Sequence, residues 1–375
     1  MERLLFTEGE MITIAAVGDI MPGGILAGVD SDYASKEIFD FLNKADLRVG
    51  TLETAIGDEP SFYDEKMRRL ADVIYAKDHD LIKLKQLGVD IVSLANNHFF
   101  DLGPEGAEHT IQLLDEMGIK HIGAGRNLEE AQAPVFMTIH GKKVAFLAFC
   151  DWRNETVGWC PFATADKAGV NPMYDDYVIS EIRKYKKQSD YVVVMPHWGI
   201  EHTWVTTPQV YRLTKKMLKA GADLILGSHP HRVHPVVNYK CASVAYSMGN
   251  FLFPDRLITK PRSTYYPDKS LNVSTLPITD GYPYVEEVTY KKWKTLARVG
   301  MIVKSELSDG KARSSYILTF MGKDGILVLR DNNNVERILA KREKILKMKA
   351  YPMFYQVERY GKALMRKVGL LRKAD

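Results

Sequence analysis

This sequence of 375 residues has few cysteines, no long apolar run and little net charge, and each shortage excludes a class of protein. Its three cysteines, Cys150, Cys160 and Cys241, form no Cys-x-x-Cys pair, which favours a reducing compartment and thiols that act as small core residues. The opening residues lack the apolar stretch of a signal peptide, and no later run is long enough to span a bilayer. We therefore expect a cytoplasmic globular protein.

The formal net charge of +4 is too small to indicate a nucleic-acid partner, but its distribution is uneven. Residues 336–375 hold twelve Lys and Arg against four Asp and Glu. This predicts a basic helical tail over 335–375 that ends in an amphipathic helix over 357–371. That helix would either contact anionic lipid or a synthase complex, making the protein peripheral at the membrane, or pack on the main domain with its basic side in solvent.

Apolar runs alternate with helical patterns over most of the chain, which predicts an α/β fold with layered sheets. The predicted strands are 11–17, 47–50, 90–95, 143–149, 191–195, 223–226 and 244–246, and the predicted helices are 36–46, 78–87, 105–117, 179–187, 208–220 and 335–349. Residues 254–283, rich in Pro, Tyr and Ser, predict a lid, and 296–303 with 315–320 predict a small β pair. The expected units are a main domain over 1–256, a lid and β elaboration over 257–334 that completes it, and the basic tail.

Five short segments place oxygen or nitrogen donors at the ends of predicted strands, where α/β sheets carry their sites. They are Gly18-Asp19, Leu52-Glu53, Asn96-Asn97-His98, His197-Trp198-Gly199-Ile200-Glu201 and Gly227-Ser228-His229-Pro230-His231. Taken singly, each is better explained as a turn, a helix cap or a half-buried histidine. Taken together these explanations fail, because five polar turns would have to interrupt core strands by coincidence. The five segments therefore predict one metal site.

The donor types narrow the chemistry of that site. The carboxylate of Asp19 or Glu53 can bridge two cations, Asn97 offers an amide oxygen, and the remaining donors are imidazoles. Mixed nitrogen and oxygen donors suit Mn, Fe, Zn or Co better than Ca or Mg. Two such ions about 3.5–4 Å apart activate a water and neutralise charge on the attacking and leaving oxygens. His98 is then the predicted general acid, and Asp101 the carboxylate that orients its imidazole.

Six of the chain's motifs resemble the CapA/PgsA family of capsule and poly-γ-glutamate synthesis proteins, within the calcineurin-like metallophosphoesterase superfamily. The motifs are VGDIM (17–21), GTLET (50–54), DIVSLANNHFFDLGPEG (90–106), HWGIE (197–201), GADLILGSHPHRVHP (221–235) and YSMGNFLF (246–253). They occur in family order and cover about residues 11–253. The resemblance implies a four-layer α/β/β/α sandwich with metal ligands on loops at strand ends.

Carried over position by position, the resemblance implies two divalent metal ions and a catalytic His98. The implied ligands are Asp19, Glu53, Asn97, His197, His229 and His231. Glu201 and Asn250 fall in family motifs near the site, and with His234 and Arg256 they are the expected substrate contacts. His234, which stands where relatives often carry Gln, is alternatively a spare donor.

Two positions depart from the wider pattern. Met21 stands where phosphoesterases of this superfamily carry a histidine, and Thr51 stands where the family usually carries an asparagine. A ligand missing at either position would weaken one metal site or change the metal that it prefers.

Three functions remain open from the sequence. The first is a metal-dependent hydrolase, of the phosphoesterase type, that acts in the biosynthesis or trimming of a capsule polymer, with an anionic polymer or a phosphorylated or sugar-bearing substrate. The second is hydrolysis of an amide, or abstraction of an α-proton, on a polyglutamate or peptide substrate. The third is a non-catalytic assembly factor of a polymer-synthesis complex.

Overall fold

The computed structural model describes residues 11–58, 73–151, 160–259, 263–264, 276–279, 288–348 and 350–357, and their strands alternate with helices along most of the chain. The strands are β1 (Ile12–Ile20), β2 (Leu47–Leu52), β3 (Ala55–Ile56), β4 (Tyr75–Ala76), β5 (Ile91–Ser93), β6 (Lys120–Ile122), β7 (Ala124–Gly125), β8 (Val135–Ile139), β9 (Lys142–Cys150), β10 (Gly169–Val170), β11 (Tyr191–His197), β12 (Leu224–Leu226), β13 (Val236–Asn238), β14 (Ser243–Ala245), β15 (Arg256–Thr259), β16 (Ser263–Thr264), β17 (Ile278–Thr279), β18 (Thr289–Lys291), β19 (Val299–Ser308), β20 (Lys311–Met321) and β21 (Leu327–Leu329). The α-helices are α1 (Lys36–Leu42), α2 (Ile82–Gln86), α3 (Gly103–Glu116), α4 (Leu128–Gln132), α5 (Asp175–Lys186), α6 (Pro208–Ala220) and α7 (Asn333–Leu346).

Two large sheets form the centre of the molecule. The first has seven strands in the order β21-β20-β19-β1-β2-β5-β6, and its strands β1, β2, β5 and β6 run parallel. The second has six strands in the order β13-β14-β12-β11-β9-β8, and β14, β12, β11 and β9 run parallel. Parallel strands joined by helices place all their carboxyl ends at one edge of the sheet. The α/β class predicted from the sequence is confirmed.

The second sheet is buried on both faces, as its continuous apolar strands require. Along β9, Phe146 and Ala148 face the core shared with the first sheet, whereas Leu147 faces the other side. On that other side Leu147 packs in a cluster with Ile182 of α5 and Leu213 of α6. Helices α1 and α3 contribute apolar residues to the core of the first sheet. The layers are therefore helix, sheet, sheet and helix, which confirms the expected four-layer sandwich.

Backbone hydrogen bonds join the two sheets next to the predicted metal ligands. The amide of Asp19 donates to the carbonyl of Gly249 at 2.9 Å, and Met21 donates to the carbonyl of Leu252 at 2.7 Å. The two chains come so close because residue 18 is glycine: a Cβ there would lie 1.8 Å from the Gly249 carbonyl oxygen. Gly249 itself has a φ of +67°, which favours glycine.

One predicted segment is wrong in its secondary structure, and another is confirmed and extends the first sheet. The described part of the predicted lid, 254–283, contains β15, β16 and β17, which with β18 form a four-stranded sheet in the order β16-β15-β18-β17. The predicted small β pair, 296–303 and 315–320, is an antiparallel hairpin of β19 and β20, and β19 pairs directly with β1 at the centre of the first sheet. The remainder of the lid segment and residues 358–371 of the predicted terminal helix lie outside the described residues.

The described start of the basic tail packs on the main domain. Helix α7 buries Leu346 against the outer face of the second sheet, and residues 351–357 continue as helix. The hydroxyl of Tyr351 donates to the carbonyl of Thr206, and its ring lies 5.0 Å from that of Tyr211. Within the described residues, no helix combines the length and the apolar character needed to cross a membrane.

The close approach at Gly18 can be tested with Gly18→Ala. We expect the substitution to lower the free energy of unfolding by about 3 kcal/mol, because the new Cβ would push two sheet edges apart. The matched control is Gly141→Ala, whose Cβ meets no described atom within 4 Å and which carries only the cost of a positive φ, about 1 kcal/mol. Urea denaturation of both variants measures the difference, and equal losses would contradict the close approach.

Candidate metal centre

The predicted ligands all lie at the carboxyl ends of parallel strands. The first sheet contributes Asp19, Glu53 and Asn97, from β1 and from the turns after β2 and β5. The second sheet contributes His197, His229 and His231, from the end of β11 and the turn after β12. The six side chains are at most 4% exposed. Two sheets, joined at their edges, therefore bring distant parts of the chain into one buried site.

Glu53 lies at the centre of this site. Its Oε1 is 3.5 Å from Nε2 of His197 and 3.7 Å from Nε2 of His231. Two groups of donor atoms share it, each within 4.8 Å of one another. We call Glu53, His197 and His229 the histidine group, and Asp19, Glu53 and His231 the aspartate group. A carboxylate common to two donor groups is positioned as a bridging ligand.

Nε2 of His197 faces more lone pairs than it can satisfy with a proton. It lies 2.7 Å from Oδ1 of Asn97 and 3.0 Å from Nδ1 of His229, besides its approach to Glu53. The other ring nitrogen lies 2.9 Å from Oγ of Ser228. One proton on Nε2 can serve only one of these neighbours, and the others would face it with lone pairs in a dry interior. A cation among these atoms would satisfy all of them.

The orientation of His231 is fixed by Asn250. The amide nitrogen of Asn250 donates to the carbonyl of Ala297 at 3.0 Å, so its Oδ1 faces Nδ1 of His231 at 2.8 Å and accepts that proton. Nε2 of His231 is therefore the nitrogen with the lone pair, and it is the one directed at Glu53. Such a partner on the second nitrogen is typical of a metal-binding histidine.

The backbone at the two histidines is strained, as is common at functional sites. His229 has a φ of +94° and His231 a φ of +49°, with Pro230 between them. The backbone amide of His202 donates to the carbonyl of Pro230 at 2.8 Å, which holds this turn in place. The strain turns both rings towards Glu53 from a spacing of only two residues.

Burial sets the charge of the ligands in the protein alone. It lowers the pKa of His197, His229 and His231 well below the ordinary value, and neighbouring imidazoles lower it further. These rings are neutral at pH 7, the form that binds a metal. Burial raises the pKa of Asp19 and Glu53, and the negative charge of Glu201 adds to the rise. A bound cation would reverse this, because it favours the ionised carboxylates.

The residues present fit a pair of divalent ions. Oδ1 of Asp19 and both carboxylate oxygens of Glu53 are buried and receive no hydrogen bond from any described donor. A buried carboxylate without donors costs free energy unless a cation compensates it. Asn97 would complete the histidine group, while the aspartate group has three donors. Mixed nitrogen and oxygen donors favour a transition metal or zinc.

His98 and Asp101 form a linked pair next to the ligand Asn97. Nδ1 of His98 lies 2.7 Å from Oδ2 of Asp101, and the same oxygen accepts from the amide of Ile74 at 2.6 Å. Asn96 holds the turn, because its side chain donates to the Leu52 carbonyl and accepts from the His98 amide. The imidazole is 13% exposed, so it can reach a bound molecule. This geometry is suited to a general acid oriented by a carboxylate.

The expected substrate contacts lie in different surroundings. Arg256 is buried, and its guanidinium lies 5.3 Å from the centre of the Phe253 ring, which in turn packs on His231. The carboxylate of Glu201 is largely buried and acts on the pKa of Asp19 and Glu53. His234 is directed away from the ligands, since its Nε2 lies 2.8 Å from the carbonyl of Thr203. Asn250 contacts His231, as described above.

The two departures from the family pattern have structural explanations. Met21 is fully buried in an apolar cluster with Ile74 and Phe253, so the side chain at this position packs in the core. Thr51 lies within β2, opposite Asp19 of β1 and Ser93 of β5. The aspartate group is therefore the poorer of the two in donors.

Sequence reasoning missed three residues near the centre. Ser228 contacts His197, and its position inside a donor-bearing segment was the available signal. The ring of Trp293 lies 5.1 Å from that of His231, and nothing in the sequence around it indicates this. Arg232 follows His231 directly and is 5% exposed, although an arginine beside a motif is usually expected in solvent.

Comparison with known proteins places these features in a family context. The model of the family described as bacterial capsule synthesis protein PGA_cap matches residues 13–255. The chain is 33% identical over 257 residues to the capsule biosynthesis protein CapA of Bacillus anthracis, covering 66% of this chain and 61% of that protein. It is 27% identical over 300 residues to the PGA biosynthesis protein CapA of Bacillus subtilis (strain 168), covering 77% of each. It thus spans less than two-thirds of the Bacillus anthracis protein.

Solved structures give a weaker likeness. The NAD nucleotidase of Haemophilus influenzae superposes with a TM-score of 0.42 at 11% identity, covering 90% of this chain and 56% of that one. The sulfate thiohydrolase SoxB of Thermus thermophilus superposes with a TM-score of 0.37 at 10% identity, covering 91% of this chain and 61% of that one. Scores this low carry no argument about activity.

Metal binding is expected to release protons at neutral pH. Burial raises the pKa of Asp19 to about 8, so in the metal-free protein this carboxyl is mostly protonated at pH 7, and a cation that binds it displaces the proton. Metal affinity should therefore rise with pH up to about 8. Calorimetric titration with Zn²⁺ or Mn²⁺ in buffers of different ionisation enthalpy counts the protons. We expect about one or more per chain at pH 7 and fewer at pH 8.5, and no buffer dependence at pH 7 would contradict this.

Proposed function

Since this chain belongs to the bacterial capsule synthesis protein PGA_cap family, we propose that it is a metal-dependent hydrolase that acts in the biosynthesis or trimming of a capsule or polyglutamate polymer. The bond that it cleaves is proposed to be a phosphoester or a related bond. The observation that carries this proposal is Glu53, whose carboxylate is common to two donor groups beside His98 and Asp101. A purely structural site would not need a buried carboxylate without hydrogen-bond donors next to a partly exposed, oriented imidazole.

The chain's own residues support a division of roles. The histidine group and the aspartate group would each hold a divalent ion, and two such ions supply an activated water and neutralise charge on the substrate. Ser228 and Asn250 hold the imidazoles of His197 and His231 with the correct nitrogen towards Glu53. The burial of all six ligands excludes bulk water from the centre and strengthens every charge interaction there.

His98 is the proposed general acid. Its Nδ1–H donates to Asp101, which the amide of Ile74 fixes in place, so Nε2 is the nitrogen that exchanges a proton with the substrate. When a bond to a leaving oxygen breaks, the imidazolium gives that oxygen its proton. Asp101 stabilises the charged ring before the transfer and keeps its tautomer fixed afterwards.

A second candidate function is cleavage of an amide bond in a polymer of glutamate. The names of the relatives favour it, because one concerns PGA biosynthesis and another, from Mycobacterium tuberculosis, is a probable polyglutamine synthesis accessory protein. That second relative is 26% identical over 213 residues and covers 55% of each chain. In this alternative the same imidazole would protonate a leaving amine.

The proposed role of His98 is tested with His98→Gln on the metal-loaded protein. We expect turnover of bis(4-nitrophenyl) phosphate to fall at least about a hundredfold, because proton transfer to the leaving oxygen is lost, while the metal content stays unchanged. The control is His109→Gln, since the side chain of His109 is 40% exposed and its Nε2 lies 3.0 Å from the exposed carboxylate of Asp78.

The outcomes separate the candidates. Hydrolysis of the phosphodiester that depends on His98 supports the phosphoesterase, whereas release of glutamate from γ-linked oligomers with an inert phosphodiester supports the amide alternative. A metal-loaded wild type that is inert on both substrate classes would contradict a hydrolase. Equal turnover in His98→Gln and His109→Gln would contradict the role of His98.

The contact between Asp101 and His98 gives a further prediction. Asp101→Asn removes the charge that holds the His98 imidazolium, and we expect turnover to fall about 10- to 100-fold with the metal content kept. The pH dependence of the turnover rate shows whether the loss of turnover follows the fraction of His98 that is protonated. A fall in metal content that matches the fall in rate would contradict a positioning role and indicate a ligand role instead.

A further inference from the structure

Two arginines near the aspartate group are buried without satisfying their guanidinium groups. Arg232 is 5% exposed, and its Nε and Nη1 have no hydrogen-bond partner among the described residues. Arg256 is 2% exposed, and its Nη1 likewise has no partner in the described part of the chain. Buried charged donors are normally paired, because an unpaired buried charge is strongly destabilising. Two such groups in one region require an explanation.

Another buried arginine, Arg298, has a hydrogen-bond partner for each of its nitrogens, unlike Arg232 and Arg256. Arg298 is 4% exposed, and its Nη2 contacts both carboxylate oxygens of Asp255, at 2.7 and 2.5 Å. Its Nε donates to the carbonyl of Trp293, and its Nη1 donates to the carbonyl of Gly322. Neither Arg232 nor Arg256 forms such a hydrogen-bonded pair with a described carboxylate, although the charge of Arg256 lowers the pKa of Glu53 against the effect of burial. Their guanidinium groups therefore remain available for a ligand.

Both arginines lie next to the metal centre. Arg256 lies 5.3 Å from the ring of Phe253 and 5.8 Å from that of Trp293, and the imidazole of His231 packs on these two rings at 5.5 and 5.1 Å. Arg232 is joined to His231 in the chain, and its guanidinium lies 5.7 Å from the ring of Trp204. The aromatic rings support the flat guanidinium groups without consuming their hydrogen-bond donors.

The positive charge of both arginines acts on His202, whose ring lies 5.8 Å from that of His231. Burial, together with the positive charges of Arg232, Lys291, Lys294 and Arg256, lowers the pKa of His202 to about 4. Burial alone lowers the pKa of Arg232, to about 10, which leaves it charged at neutral pH. The region beside the aspartate group is therefore positively charged, although the ligands themselves include two carboxylates.

We propose that Arg232 and Arg256 form a subsite for a second oxyanion of the substrate, a carboxylate or phosphate group next to the group bound at the metal centre. A guanidinium with free, pre-oriented N–H groups recognises such a planar or tetrahedral oxyanion directly. This assignment rests on the proposed function for its substrate, and it specifies the substrate as an oligomer that is anionic beside the reacting bond. Neutral oligomers would leave both arginines unsatisfied and would bind weakly.

Binding to the metal-loaded protein, rather than turnover, tests the subsite. The probes are γ-linked triglutamate, the neutral triamide in which its three α-carboxylates are carboxamides, and tripolyphosphate, each titrated calorimetrically at low ionic strength. We expect the wild type to bind at least one of the two anions about tenfold or more tightly than the triamide. Preference for triglutamate identifies a carboxylate subsite, and preference for tripolyphosphate identifies a phosphate subsite. Equal affinity for all three probes would overturn the proposal.

Arg232→Gln and Arg256→Gln should each weaken binding of the preferred anion about tenfold and leave the triamide unaffected. The matched control is Arg337→Gln, which removes one charge from the exposed surface of α7, where Arg337 bonds to Asn333 and Asn334. Arg232→Lys and Arg256→Lys keep the positive charge but remove the planar guanidinium with its paired N–H donors. Each Lys variant should therefore lose less affinity for the preferred anion than the Gln variant at the same position. If a Gln variant does not fold, the Lys variants and the comparison of charged with neutral probe decide the question.

The two proposals fail in different ways. A protein that prefers the anionic probe through Arg232 and Arg256 but hydrolyses nothing keeps the subsite and loses the hydrolase. A protein that hydrolyses the phosphodiester through His98 but binds charged and neutral probes equally loses the subsite alone. Gln variants that retain metal, fold and full affinity for the anion would overturn the role of the two arginines.

Discussion

The structure depends on a carboxylate that the protein alone does not satisfy. Glu53 is fully buried, its two oxygens receive no hydrogen bond from a described donor, and two imidazole nitrogens approach one of them. Burial of such a group is unfavourable unless positive charge compensates it. The pair of donor groups around Glu53 is what a pair of cations would need. The backbone contact between the sheets and the turns around the site hold this one carboxylate in place.

The fold achieves this by bringing together two sheets at the edges where their parallel strands end. One sheet supplies most of the oxygen donors and the other supplies the imidazoles, so neither forms the centre alone. Next to the ligands, backbone hydrogen bonds join the two sheets around Gly18 and Gly249, where side chains would not fit. Asn250 follows directly and orients His231, so the residues that join the sheets also orient a ligand. Stability and the geometry of the site are thus linked.

Much of this architecture could be predicted from the sequence, because it depends on local patterns. Apolar runs that end in polar turns located β1, β2, β5, β11 and β12, and helix α6 was predicted with its observed ends, marked by Pro208 and Gly221. The six ligand positions followed from donor type and from the family resemblance. Their role as ligands stays a prediction, as does the division of the chain into units.

The remaining features depend on tertiary contacts that no local pattern contains. Strand β8 carries little alternation and exists because β9 pairs with it, and β15 forms a sheet with β18, more than thirty residues away in the sequence. The burial of Arg232 depends on the ring of Trp204 and on the turn that holds His231. His234 is three residues from a ligand, yet it is directed towards Thr203, because the strained turn at His229 and His231 redirects the chain.

A shared Glu53 is the central claim, and counting bound metal tests it most directly. Elemental analysis of purified, metal-loaded protein compares the wild type with Glu53→Gln and His231→Ala, with folding checked by circular dichroism. The account predicts about two ions per chain in the wild type, about one in His231→Ala and close to none in Glu53→Gln, because the bridging carboxylate belongs to both donor groups. A folded Glu53→Gln variant that retains as much metal as the wild type would contradict it.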